Sequence, residues 1–144
     1  MKRTLAAAAL LLVTAGCDTT LFAPAGNDQV TAFALKSFEE MSFIKSCVDL
    51  GTCHRSGDFS SVEDHYVQAL ASIDAATELA NKTFPTSGRA GEATALLLEN
   101  FDLCKEQIKL LARFHQSDPN LQDDPLPALA RTTCLIAWED AASL

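Results

Sequence analysis

The sequence is short of the features that carry a chain through a membrane, onto nucleic acid or around a metal. Its longest unbroken apolar run, Leu5 to Val13, is nine residues, against the ~20 that a helix needs to cross the hydrocarbon core. No permanent span is therefore predicted. Lysine and arginine number 11 against 19 aspartates and glutamates, a net charge of −8. That balance offers no basic surface to a phosphate backbone, and no nucleic-acid partner is expected. Of the three histidines, His54, His65 and His115, no two stand at the i, i+4 spacing of a helical metal site, so no metal is predicted. No segment alternates with period two over a useful length, and there is no internal repeat, which leaves no basis for strands. A nucleophile elbow and a phosphate-cradling glycine loop are also missing. With no catalytic residue to name, the chain reads as non-enzymatic.

The amino terminus is an address. Lys2 and Arg3 give a short positive start, the nine-residue apolar run follows, and the small residues Thr14, Ala15 and Gly16 stand directly before Cys17. Residues 1–16 read as a signal peptide that is removed and takes no part in the fold. Thr14-Ala15-Gly16-Cys17 resembles the lipobox of bacterial lipoproteins. The resemblance implies a diacylglyceryl group on the Cys17 thiol and an acyl chain on the new amino terminus, with no other cofactor. Several acyl chains hold a protein stably where one does not. Asp18 resembles the residue that keeps enterobacterial lipoproteins at the inner membrane, so the periplasmic face of the inner membrane is the expected location, with the outer membrane as the alternative.

Removal of residues 1–16 leaves 128 residues, enough for one domain. Loss of Lys2 and Arg3 leaves 9 basic against 19 acidic side chains, a net charge near −10. Lipid rather than charge must then hold the protein to an anionic bilayer. Residues 17–27 read as a lipidated tether, with Pro24 and Gly26 and no sustained period, and residues 28–144 as a helical domain.

Four helices are predicted from the apolar spacing. Val30, Phe33, Ala34, Ser37, Met41, Ile44 and Val48 mark helix one, about 28 to 50, with Asp28 as N-cap and Gly51 ending it. Ser60 with Glu63 forms a capping-box pattern, and Val62, Tyr66, Ala69, Ile73, Ala76 and Ala80 carry helix two to about Asn81. After the turn chemistry of residues 85–91, Ser87 caps helix three, about 88 to 115, through Ala93, Leu97, Phe101, Cys104, Ile108, Leu111 and His115. Asp124 and Pro125 open helix four, whose face is Leu126, Ala130, Thr133, Cys134, Ala137, Trp138 and Ala141. The fold class is all-α, a small four-helix bundle, up-down-up-down, with connections of about six to ten residues.

With Cys17 given to lipid, four cysteines remain in an oxidising compartment, and two disulfides are expected. Cys104 and Cys134 lie roughly 16 and 14 Å below the same bundle end at 1.5 Å per residue, so they share a level and pair. Cys47 and Cys53 flank the helix end at Gly51 and form the other pair.

The segment from Cys47 to Cys53 ends in a Cys53-His54 pair like that of covalent haem sites, but five residues separate the cysteines where haem attachment uses two. His65, His115 and Met41 would be the only other axial ligands. A structural disulfide is preferred. The histidines are assigned to surface or helix-end positions, and the adjacent carboxylates, Glu39-Glu40 among them, to solvated faces and caps. Phe33, Phe38 and Phe43 recur at steps of five and cannot share one stripe, so Phe38 or Phe43 is the candidate for an apolar partner-binding patch.

The expected function is a lipid-anchored binding or assembly module that docks a periplasmic or membrane protein through a helix face. The alternative is an inhibitor or immunity lipoprotein that neutralises a toxin or hydrolase, with a haem or redox carrier behind both. Small helical pilotins of secretion systems are similar in size, lipidation and cysteine stapling.

Overall fold

The computed structural model describes residues 27–51, 59–118 and 121–144, and four helices hold nearly all of them. They are α1 (Asp28–Leu50), α2 (Glu63–Thr83), α3 (Gly88–Ser117) and α4 (Leu126–Ser143), with a single turn of 3-10 helix at Phe59–Ser61 before α2. No strand occurs among the described residues. The predicted signal peptide and tether, with Cys17 and Asp18, and the pair Cys53 and His54 lie outside them.

Each helix packs on two neighbours in the ring order α1, α2, α3, α4 and back to α1. The directions alternate, as cross-helix contacts show. Thr31 near the start of α1 donates to the Ala141 carbonyl at the end of α4, and Asn100 of α3 donates to Asp140 of α4. Tyr66 near the start of α2 meets His115 near the end of α3. This is the expected up-down-up-down bundle. Its links are less uniform than expected: Phe84–Ser87 joins α2 to α3 in four residues, while twelve separate α1 from α2.

The core is built from the predicted periodicity. Every residue of the helix-two face is buried, and so are Leu97, Phe101, Cys104, Ile108, Leu111 and His115 on α3. Small residues recur on the inner faces of α2, at Ala69, Ala76 and Ala80, and of α4, at Ala130, Ala137 and Ala141. Phe33 departs from the pattern: it is 40% exposed, at the edge of a groove toward α2, and Glu40 occupies the inner face instead.

The helix ends show why the chain turns where it does. Asn27, not Asp28, caps α1: its side-chain oxygen accepts from the backbone N–H of Gln29 and Val30, leaving Asp28 as an acidic first-turn residue against the helix dipole. Gly51 closes α1 at φ 58°, a left-handed conformation that costs a residue with Cβ roughly 1–2 kcal/mol. The capping box at Ser60 is replaced by the 3-10 turn, and Val62 stands at the N-cap of α2 with its side chain in the core. Asp124 accepts from the Leu126 N–H at 2.8 Å, one residue ahead of Pro125, which stands at the N-cap of α4 in place of the expected Asp124.

Cys104 and Cys134 are bonded, with Cα atoms 4.7 Å apart, and join α3 to α4 inside the core. This is the one disulfide pair complete within the described residues. Cys47 is buried and already engaged, while Cys53, its expected partner, is outside.

Candidate functional site

Two features stand out from the packed apolar core: a polar cluster across the α1–α2 seam, and an apolar strip along the α3–α4 edge.

The polar cluster is centred on Glu40. The α1 repeat that buries Ser37, Met41 and Ile44 also turns Glu40 inward, and it is only 4% exposed. A buried carboxylate must be partnered, and Glu40 has two partners: Lys36 Nζ at 2.5 Å from its own helix and His65 Nδ1 at 2.5 Å from α2. Burial pushes the Glu40 carboxyl up, but hydrogen bonds and charge from Lys36 and His65 outweigh it and hold the group below its ordinary value of 4.5. The same contact raises Lys36. Phe43, one turn beyond Glu40, stacks on the His65 ring at 4.0 Å between centroids.

Directly beneath, Tyr66 carries the polar layer into the core. Its hydroxyl lies 3.1 Å from His115 Nδ1, with Phe59 stacked on Tyr66 and edge-on to His115. Burial drives the Tyr66 phenol well above its ordinary value, so it stays protonated and can serve as donor to the imidazole. His115 is 1% exposed. Both histidines stand at helix ends as expected, His65 in the first turn of α2 and His115 in the last turn of α3, but neither is a free surface group: His115 is an internal hydrogen-bonding residue and His65 a half-buried partner of Glu40. The pairing of Glu40 with a histidine across helices, rather than solvation, also corrects the reading of Glu39-Glu40. These groups tie α1, α2 and α3 together at one end of the bundle. No group of three or more His, Cys, Asp or Glu side chains capable of holding a metal exists among the described residues.

The two phenylalanines proposed for partner binding are separated. Phe38 packs in the α1–α4 seam, stacked on Trp138 at 5.5 Å with the Arg131 guanidinium 5.0 Å from its ring centre. Phe43 is 47% exposed, with its lower face on His65. Met41 is fully buried.

A larger apolar surface lies on the opposite side. Nine large hydrophobic side chains are exposed among the described residues, and five of them, Leu96, Leu103, Phe114, Leu129 and Ile136, belong to α3 and α4. The bond from Asn100 to Asp140 marks the edge on which three of them lie. Leu96 and Leu103 lie one turn either side of Asn100, and Ile136 one turn before Asp140, so all three flank the same interhelical contact. Leu96 also lines a cavity of about 100 Å³ with Ala93, Asp140 and Leu144. Each α3 member directly precedes a core residue: Leu96 before Leu97, Leu103 before Cys104, Phe114 before His115. The apolar face of α3 is thus wider than the core can cover. That widening is visible in the sequence as doubled apolar positions, a signal that the single-stripe reading passed over.

No protein-family model, curated protein or solved structure matches the chain. No helix among the described residues is long and apolar enough to cross a membrane.

Proposed function

We propose that the protein is a lipid-anchored helical binding or assembly module that docks a periplasmic or membrane protein through a helix face. The observation that carries the docking part is the exposed α3–α4 strip, since five large apolar side chains left in solvent on two adjacent helices of a small acidic protein favour an interaction site. Phe43 is a secondary contact, presented on the Glu40–His65 pair, whereas Phe38 serves the α1–α4 seam.

The address rests on sequence: Lys2 and Arg3, the short apolar run and Thr14-Ala15-Gly16-Cys17 support lipidation at Cys17, and Asp18 supports the inner membrane. Cys47 with Cys53 is the proposed second disulfide, beside the observed Cys104–Cys134 bond. The acidic balance also fits the inhibitor or immunity reading, in which a basic toxin or hydrolase is the target.

Two measurements test the proposal. Labelled palmitate should enter the wild-type protein and not Cys17→Ala. A photo-crosslinking residue at Leu103 or Ile136 in intact cells should give a discrete adduct with one protein, and the same residue at Val67 on α2 should not. Loss of enzymatic activity in the crosslinked partner would select the inhibitor class. Absence of any protein adduct at the α3–α4 positions would refute docking through this face.

A further inference from the structure

Resting on that docking reading, the chemistry around the strip narrows the partner. Along α3, Glu92 and Glu99 lie one turn either side of Leu96, and Glu99 and Glu106 one turn either side of Leu103. On α4, Glu139 lies one turn beyond Ile136. All four carboxylates are exposed. Two cations of the same helices are drawn to other edges: Lys105 pairs with Asp74 of α2 at 2.5 Å, and Arg131, the lone basic residue of α4, donates to Ser42 of α1 at 3.1 Å and covers Phe38. Lys109 does reach the rim, where it binds Glu106 at 2.7 Å, Arg113 also acts on Glu106, and Arg89 stands two turns before Leu96 on the same helix face. The result is an apolar strip bordered by four carboxylates, with Arg89, Lys109 and Arg113 as the nearby cations.

The strip also has a length. Leu96 and Phe114 are eighteen residues apart on one helix, which is about 27 Å, or five helical turns. The groove between two antiparallel helices suits a third helix laid along it, with apolar side chains at i, i+3, i+4 and i+7 entering between Leu103 and Ile136.

We infer that the α3–α4 face binds a cationic amphipathic helix of about five turns, contributed by the protein partner, its leucine-type face on the strip and its lysines or arginines on Glu92, Glu99, Glu106 and Glu139. A second copy of this chain would bring two acidic rims together, and an anionic bilayer would meet the same repulsion. Charge complementarity selects the basic helix over both.

The test uses the full chain as the cell makes it, held in nanodiscs of zwitterionic lipid, and an eighteen-residue synthetic peptide with leucines at helical spacing flanked by lysines. Fluorescence anisotropy at low salt should show binding, and circular dichroism should show the peptide gaining helix. Leu103→Ser combined with Ile136→Ser should weaken binding about tenfold or more, as expected for central apolar contacts. Glu99→Gln with Glu106→Gln should weaken it severalfold and flatten its salt dependence, and Val67→Ser on α2 should leave it unchanged. Each variant is first shown to keep the helical spectrum of the parent.

The inference is overturned if a peptide with scrambled leucines binds equally well. It is also overturned if Leu103→Ser with Ile136→Ser has no effect, if sedimentation shows a dimer that this pair of changes dissociates, or if phosphatidylglycerol vesicles bind the face in place of the peptide. The crosslinking experiment separates this from the broader reading. An adduct at Leu103 whose partner segment is not a basic helix refutes the inference alone, and no adduct refutes both.

Discussion

Glu40 and His65, 25 residues apart in sequence, meet at 2.5 Å across the α1–α2 seam, with the carboxylate almost withdrawn from water. A carboxylate in that position stabilises the fold only while it is charged and its partners are present. Lys36 and His65 both depend on it.

Glu40→Gln is therefore expected to destabilise the protein by about 1–3 kcal/mol at neutral pH, the range for disturbing a buried, partnered polar group. The pH dependence follows from the direction of the shift. The native group is held below its ordinary 4.5, so its contribution is fully present above that value and is lost as pH falls through the lower native one. Urea unfolding along the acid limb should show a shallower loss of stability in Glu40→Gln than in the parent. Identical acid slopes would refute the assignment.

The Cys104–Cys134 bond closes a loop with a sequence separation of 30. Its removal should restore entropy to the unfolded chain worth about 3–4 kcal/mol. Cys104→Ala with Cys134→Ala should unfold at markedly lower urea while keeping a helical spectrum under native conditions, because both positions already face an apolar core. A midpoint unchanged from the parent would show that the bond adds nothing beyond the packing.

Gly91 is a position where alanine should fail inside a helix. A Cβ there would stand 2.5 Å from the Thr86 carbonyl carbon. In an ordinary helix interior, replacing glycine by alanine gains about 1 kcal/mol; here overpacking reverses the sign, with a cost of about 1–3 kcal/mol. Chemical denaturation of Gly91→Ala reads the sign directly, and a stabilised variant would contradict the close approach of the α2–α3 turn.

Tyr66→Phe removes one hydroxyl from the buried contact with His115 and keeps the ring on Phe59. The expected cost is about 1–2 kcal/mol. Amide exchange should rise locally on α2 and α3 around this layer. A neutral substitution would mean that the hydroxyl contributes no net stability.

The helical periods carried most of the fold. Steps of three and four placed all six helix-two residues and six of the seven helix-three residues in the core, because a 3.6-residue period has one inner face and apolar side chains define it. The pairing of Cys104 with Cys134 was equally legible, since helix rise and antiparallel neighbours put both at one level. The cap was missed by one residue: Asn27 and Asp28 are both good cap types, and only the backbone geometry shows whose oxygen reaches the N–H groups of Gln29 and Val30.

The polar and interacting residues behaved differently. Glu40 sits at a step shared by the core face, yet whether a glutamate there turns inward depends on a histidine 25 residues away. His115 and Tyr66 likewise find each other across 49 residues. One-dimensional pattern assigns a residue to a face; it cannot supply the partner that offsets desolvation, because that partner comes from another helix. The same limit applied to the strip: doubled apolar positions such as Leu96-Leu97 and Leu103-Cys104 were present in the sequence, but which member of each pair the core would cover was set by the placement of α4 beside α3. Amino-acid order alone determined the four helices, their inner faces and the Cys104–Cys134 register, since these follow from local periodicity and helix rise. Helix-to-helix packing decided the burial of Glu40 and His115 and the exposure of the α3–α4 edge, since burial is a property of neighbours distant along the chain.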